Sequence, residues 1–270
     1  MKILIGMHGQ LGDQFIALPF IEYLKELYPD AKITKMIHKK YQGVIPILKA
    51  CPYIDGFYLS DEYENFPGVR DEIFLNENHF DMILAAMPKH KSDQWFMKRH
   101  QTAEVFDMFD YKSPEEKYQI NLYSPPTAQD DFIVFAPFAG SYNPNNDKKL
   151  SVERAQDIVT ACIGSGYENI LQIGSFDEPT LKGASQMNLS YRDSFLAIKR
   201  SKLFIHTDTG LGWAASGIQH PCLGLYSDAM YWTHIKNIQP VNPNACYLNA
   251  PNVNNIGLET ILAQVDKVLS

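Results

Sequence analysis

Short apolar runs alternate along the chain with stretches whose apolar residues recur at helical spacing, a rhythm that predicts parallel βαβ units. Lys2 to Met7 (KILIGM) reads as a strand, Gln14 to Leu27 as a helix, Lys32 to Ile37 as a strand and Tyr41 to Ala50 as a helix. In the first helix Ile16, Phe20, Ile21, Leu24 and Leu27 fall on one face. Proline fits a helix only in its first turn, so Pro19 puts the start close to Asp13.

Phe80 to Ala86 (FDMILAA) reads as a buried strand, Ser92 to Phe109 as a helix, and Tyr118 to Leu122 as the strand that closes the first half. Tyr123 to Asp131 (YSPPTAQDD) has two prolines and little apolar content, which is the composition of a linker. The expected division is therefore residues 1-126 and residues 127-270. Beyond the linker the rhythm restarts. Strands are expected at Phe132 to Ala136, Asn169 to Ile173, Leu203 to His206 and Cys222 to Tyr226, and helices at Ser151 to Gly164, Asp193 to Lys199, Leu211 to Gly217 and Leu258 to Leu269. The pattern predicts an α/β protein of two facing Rossmann-like domains with parallel sheets. A ligand cleft is expected between them, at the C-terminal edges of the sheets.

Composition narrows the function. The 270 residues are 45% hydrophobic and 20% charged, which is ordinary globular usage. A net charge of -7 excludes broad, non-specific nucleic-acid binding, which needs a basic footprint. The apolar start Met1 to Met7 is too short for a signal peptide, and no run approaches the roughly 18 apolar residues of a membrane span. The expected location is the cytoplasm, with at most peripheral contact at the inner face of a membrane. Cys51, Cys162, Cys222 and Cys246 are widely spaced, and the eight histidines lack HExxH spacing, so neither a disulfide framework nor a metal site is expected.

Candidate chemistry gathers in glycine-rich turns. His8-Gly9-Gln10-Leu11-Gly12-Asp13 joins the first strand to the first helix, and Gly12 would let a ligand approach the backbone. Asp13 has two readings: an N-cap contributing about 1 kcal/mol, or a carboxylate that takes a proton from an incoming hydroxyl. Position alone favours the cap. A second turn, Thr207-Asp208-Thr209-Gly210-Leu211, runs from a strand into a helix of small residues. The free amides at Thr209, Gly210 and Leu211 suit a diphosphate, and Asp208 could accept hydrogen bonds from sugar hydroxyls.

The loop from Pro137 to Leu150 is too long for a plain connector and carries Ser141 and Lys148, which could meet phosphate oxygens. Ser175 and Glu178 follow a strand end, where an acid can hold ribose hydroxyls or simply favour the next helix start. A basic cluster with Lys89, His90, Lys98 and Arg99 could bind an anionic acceptor or be a solvated helix face.

Together these segments resemble the ADP-heptose:lipopolysaccharide heptosyltransferase family, glycosyltransferase family 9, inverting enzymes of the GT-B fold. Leu11-Gly12-Asp13, with Pro19 six residues later, is similar to the family's (M/L)GD loop, and Phe80 to Leu84 to its YD-hydrophobic strand. Lys148, two residues before Leu150, is similar to the lysine of K-x-W-P, and Asp193 to Gly210 (DSFLAIKRSKLFIHTDTG) to the segment ending in (V/T)DTG. The chain departs from the family at Leu150 and Ser151, which replace Trp-Pro, and at Trp213, which stands where a histidine reaches the donor phosphates.

The resemblance implies a metal-independent transferase with no cofactor and a nucleoside-diphosphate sugar, ADP-linked, as co-substrate. Its acceptor would be a glycan or glycolipid of lipopolysaccharide biosynthesis. Asp13 would be the catalytic base and Lys148 the phosphate contact, with Gly12, Ser141, Ser175, Glu178, Asp208, Thr209, Gly210, Leu211 and Trp213 on the donor side. Two alternatives stay open: a GT-B transferase using a UDP or GDP hexose, and a non-catalytic relative that binds a nucleotide or glycan.

Overall fold

The computed structural model describes residues 1–7, 10–60, 80–86, 99–138, 148–175, 177–228 and 235–269. In the first half, β1 (Lys2–Met7), β2 (Lys32–His38), β3 (Gly56–Ser60) and β4 (Met82–Ala86) form a parallel sheet in the order β3-β2-β1-β4. In the second, β5 (Ile133–Ala136), β6 (Ile170–Ile173), β7 (Ser185–Met187), β8 (Leu203–Thr207), β9 (Cys222–Ser227) and β10 (Ala245–Ala250) form another, in the order β10-β9-β8-β5-β6-β7.

Both sheets grow outward from an inner strand and then restart on its other side. The direction therefore reverses between β1 and β4 and between β5 and β8. In such sheets the crevice for a ligand opens at that reversal, beyond the carboxyl ends of the strands. The turns after β1, β5 and β8 are the three that carry the glycine, lysine and aspartate motifs.

The helix expected over Gln14 to Leu27 is two helices, α1 (Asp13–Ile16) and α2 (Leu18–Leu27), separated at Ala17. Pro19 lacks an N–H and its ring would collide with the carbonyl four residues back, so the chain restarts and holds the proline in the first turn of α2. Pro46 acts alike. The segment expected as one helix from Tyr41 is a 3₁₀ turn at Lys39–Val44 followed by α3 (Ile45–Leu48).

Of the helix expected from Ser92, α4 (Gln101–Met108) is seen, and residues 92–98 lie outside the described part. Phe20 of α2 stacks on Phe109 at 4.8 Å and meets Phe106 of α4 edge-on at 5.1 Å, which fixes the two helices together. In the second half α5 (Val152–Gly164) and α6 (Tyr191–Arg200) begin at serine caps, Ser151 accepting from the Arg154 amide and Ser190 from that of Asp193. The remaining described α-helices are α7 (Gly210–Ser216), α8 (Ile235–Ile238) and α9 (Leu258–Leu269).

Tyr118 to Leu122 is not a strand. Ile120 and Leu122 are buried with the period of one, but they pack on the end of α7, where the Leu122 amide donates to the Gly217 carbonyl at 2.8 Å. Alternation alone reports an extended backbone, and here that backbone bridges the two halves rather than joining a sheet. The halves also share apolar packing: Phe195, Trp213 and Ala214 belong to the core cluster that contains Phe15 and Ile16 of α1.

Candidate active site

The turn after β1 and the turn after β8 lie against each other. A methyl group built on Gly210 would meet the Gly12 amide and the Leu11 Cγ at 2.7 Å, and one built on Gly12 would lie 3.6 Å from the Gly210 Cα. Gly212 is small for a different reason, since a side chain there would run into the buried His206 ring at 2.5 Å. The two glycines therefore serve close approach between backbone turns and between helix and sheet. Gly210→Ala should force those turns apart and destabilise the protein by about 1–3 kcal/mol. Thermal unfolding checks this, and an unchanged Tm would show that the contact does not constrain the halves.

Asp13 is not the cap of α1. Gly12 occupies that position without a side-chain cap, and Asp13 Oδ2 instead accepts the Gln10 amide at 2.6 Å. The carboxylate is partly exposed at the junction. Burial raises its pKa to about 6; the Gln10 hydrogen bond opposes the rise, Asp208 adds to it and Lys148 opposes it. An acid with that proton affinity can accept a proton near neutral pH.

Across the junction Lys148 Nζ bonds Asp208 Oδ2 at 2.6 Å, with the two side chains 33% and 18% exposed. Thr209 caps α7, its hydroxyl accepting the Gly212 amide at 3.4 Å. The amides of Gly210 and Leu211 sit in the first turn of α7, where no intrahelical acceptor exists for them. A carboxylate from one half thus faces a lysine, a second carboxylate and a helix start from the other.

His206 underlies this turn as a neutral ring. Burial lowers its pKa to about 4, and its Nδ1 donates to the Thr207 carbonyl at 2.7 Å. Trp213, expected beside the donor, is 3% exposed and packs over Gly12, with its ring 6.0 Å from that of His100. His100 caps α4 by accepting the Thr102 amide at Nδ1, which leaves Nε2 to donate to Gln239 of the other half at 2.9 Å. Trp213 and His100 are therefore fasteners between the halves.

Ser175 is exposed, and its carbonyl accepts the Glu178 amide at 3.1 Å. The Glu178 carboxylate folds over Gly174, with Oε2 buried and unpartnered, and burial raises its pKa. Arg99, expected at an acceptor, instead has its guanidinium engaged by both Asp107 oxygens (3.1 and 2.9 Å), by Glu116 (3.4 Å) and by the Glu115 carbonyl (3.2 Å). Ser141, Lys89, His90 and Lys98 lie outside the described residues. Among the described residues no group of three His, Cys, Asp or Glu side chains could hold a metal ion, and no helix is long and apolar enough to cross a membrane.

One residue near the site escaped the sequence reading. Lys35, in the middle of β2, is 0% exposed and its Nζ has no hydrogen-bond partner. The signal was present in the alternation, since Ile33, Lys35 and Ile37 must share a face of the strand and both isoleucines belong to the core.

Comparison with known proteins fits this geometry. No family model matches the chain. Lipopolysaccharide heptosyltransferase 3 of Escherichia coli (strain K12) is 33% identical over 92 residues, a match that covers 32% of this chain and about a quarter (24%) of that protein. Among solved structures, a glycosyl transferase family 9 protein from Veillonella parvula superposes with a TM-score of 0.74 at 14% identity, covering 99% of this chain and 97% of the other. E. coli heptosyltransferase WaaC with ADP gives 0.72 at 14% identity, covering 99% and 100%. The chain has the fold of these transferases over its whole described length, and its resemblance to heptosyltransferases, carried first by the turn motifs, is met in sequence and in structure.

Proposed function

We propose that this chain is a glycosyltransferase of the heptosyltransferase family that moves a sugar from a nucleoside diphosphate to a hydroxyl of a glycan or glycolipid. Residues 1-126 would form the acceptor side and residues 127-270 the donor side. The observation that carries the proposal is the meeting of Asp13 with the Lys148–Asp208 pair and the Thr209-Gly210 turn, at the direction reversals of two parallel sheets. The E. coli relative solved with ADP supports an ADP-linked donor.

The chemistry is a single displacement. Asp13 takes the proton of the acceptor hydroxyl; the oxygen forms a bond to the anomeric carbon as the bond to the diphosphate breaks, and the leaving oxygen keeps the electron pair, so the centre inverts. Charge growing on the diphosphate is met by Lys148 and the Gly210 and Leu211 amides. Such preorganised donors are worth most where charge develops. A diphosphate competes with Asp208 for the lysine, and an Asp208 released from Lys148 can accept hydrogen bonds from the sugar. Positive charge from the protein itself makes the reaction independent of metal, so EDTA should leave the rate unchanged.

The proton affinity of Asp13 sets the pH profile. With a pKa raised to about 6, the base form dominates above that pH. Activity should climb through pH 6 with a slope near one and fall to about a tenth of its plateau at pH 5. An acid limb near 4, the ordinary carboxylate range, would assign the base elsewhere.

The reading is tested by mixing the protein with ADP, UDP and GDP sugars and a panel of glycan acceptors, following nucleotide release and product mass. Tight binding of a UDP or GDP sugar, with transfer, would favour a hexosyltransferase. Binding without turnover of any donor would favour a non-catalytic relative.

A further inference from the structure

Lys148 and Lys149 are consecutive and chemically alike, yet they reach different partners. Lys148 Nζ meets Asp208 Oδ2 at 2.6 Å, whereas Lys149 Nζ lies over the Phe138 ring, 5.6 Å from its centre. Which lysine faces Asp208 is set by how the backbone around the buried Leu150 is held.

One side chain holds that backbone on both sides of Leu150. Asn254 belongs to the 3₁₀ turn Val253–Asn255 that follows β10. Its Nδ2 donates to the Lys149 carbonyl at 3.2 Å, and its Oδ1 accepts the Ser151 amide at 2.7 Å. The side-chain amide thus pairs donor to acceptor and acceptor to donor, as a neighbouring strand would. It is itself aimed, because Asn252 Oδ1 accepts both Asn254 Nδ2 at 2.8 Å and the Asn254 backbone amide at 2.9 Å. Val253 and Ile256 anchor the turn in the core cluster that contains Leu150. The start of α5 does not need this clamp, since the Ser151 hydroxyl caps it through the Arg154 amide at 3.0 Å. The backbone N–H of Ser151 is the part that Asn254 uses. Proline has no such N–H, so the chain's departure from K-x-W-P at this position supplies the donor that makes the clamp possible.

We propose that Asn254 is a positioning residue for the reaction: it holds the backbone on either side of Leu150 so that Lys148, and not Lys149, faces Asp208 and the donor diphosphate. It touches no reacting group and acts only through Lys148. The inference rests on the function proposed above for its meaning in catalysis, while the orientation of Lys148 by Asn254 holds without it.

The first test needs no ligand. It reads the lysine ammonium signals in proton–nitrogen NMR of the whole protein, with Lys148 assigned by the signal lost in Lys148→Met. Asn254→Ala should fold, because Val253 and Ile256 keep the turn in the core. In that variant the Lys148 signal should move to the position of the solvated lysines as its ion pair with Asp208 is lost. An unmoved signal overturns the proposal. The second test is a double-mutant cycle on ADP affinity, measured by calorimetry. Asn254→Ala alone should weaken ADP binding about fivefold, within the coupling found between neighbouring groups, and should change it less than about 1.5-fold in the Lys148→Met background. Equal effects in the two backgrounds overturn the proposal, because that is what a purely structural role gives. Failure of the wild type to bind ADP would count against the proposed function and leave the NMR comparison intact.

Discussion

Asp13→Asn should lose about 10²- to 10⁴-fold in kcat, the contribution of a positioned general base, while its affinity for an ADP sugar changes less than twofold. Asparagine keeps the shape and can still accept the Gln10 amide, but it cannot take the proton. The same substitution should raise stability at neutral pH. The folded-state pKa of Asp13, about 6, lies above its ordinary value of 3.8, so folding favours the protonated form. The stability that the proton confers is complete below pH 3.8 and is lost as pH rises through 6. Removing the charge should therefore recover about 1–3 kcal/mol at pH 7. Steady-state kinetics, calorimetric donor binding and thermal unfolding read the three effects. Full activity in the variant would remove Asp13 from the mechanism.

Lys148→Met should be nearly as damaging through a different route. Loss of the phosphate contact is expected to lower kcat about 10²- to 10³-fold and to weaken donor binding about tenfold, the usual value of a hydrogen bond to a charged group. The substitution also leaves Asp13 and Asp208 without the cation between them. Like charges disfavour each other's ionisation, so the acid limb of the rate should move above pH 6. A rise in the limb together with weaker donor binding marks Lys148 as the cation that serves both the carboxylates and the donor. Wild-type kinetics in Lys148→Met would show that the Lys148–Asp208 pair serves the fold alone.

Much of the fold was legible because its inner strands are short apolar runs and its helices keep a clean apolar stripe, as from Leu258 to Leu269, where the expected and observed helix coincide. What was missed is short or at an edge. β7 and β10 are the outermost strands of their sheet, β7 is only Ser-Gln-Met, and the half-buried residues of β10 give no strong pattern. Gly56–Ser60, the edge strand of the first sheet, was passed over in the same way. The expected strand at Tyr118 to Leu122 failed because period-two burial was met by the end of α7. The break at Ala17 was half legible: Pro19 announced a helix start, and that start is at Leu18, with a separate turn before it.

At the site, the residue types and their order were readable, and the contacts were not. The glycines at positions 12 and 210 stood out as ligand-binding signals; in the fold Gly210 is closest to the Gly12 amide and the Leu11 side chain, and Gly12 to the Trp213 ring. Trp213 looked like a replaced phosphate ligand because its partners, Gly12 and His100, lie far away in sequence. Lys35 was hidden for the opposite reason: a lysine inside a strand that also carries Lys32 reads as solvent-facing until the parity of its neighbours is counted.

The central claim is that the junction between the two sheets transfers a sugar with inversion, using Asp13 as base. Proton NMR of the anomeric signals tests it most directly, with the protein, an ADP sugar and an acceptor followed at pH 7.5 beside the Asp13→Asn protein. The account predicts a glycoside whose anomeric configuration is opposite to that of the donor, formed by the wild type and not by the variant; a retained configuration, or equal rates from the two proteins, would contradict it.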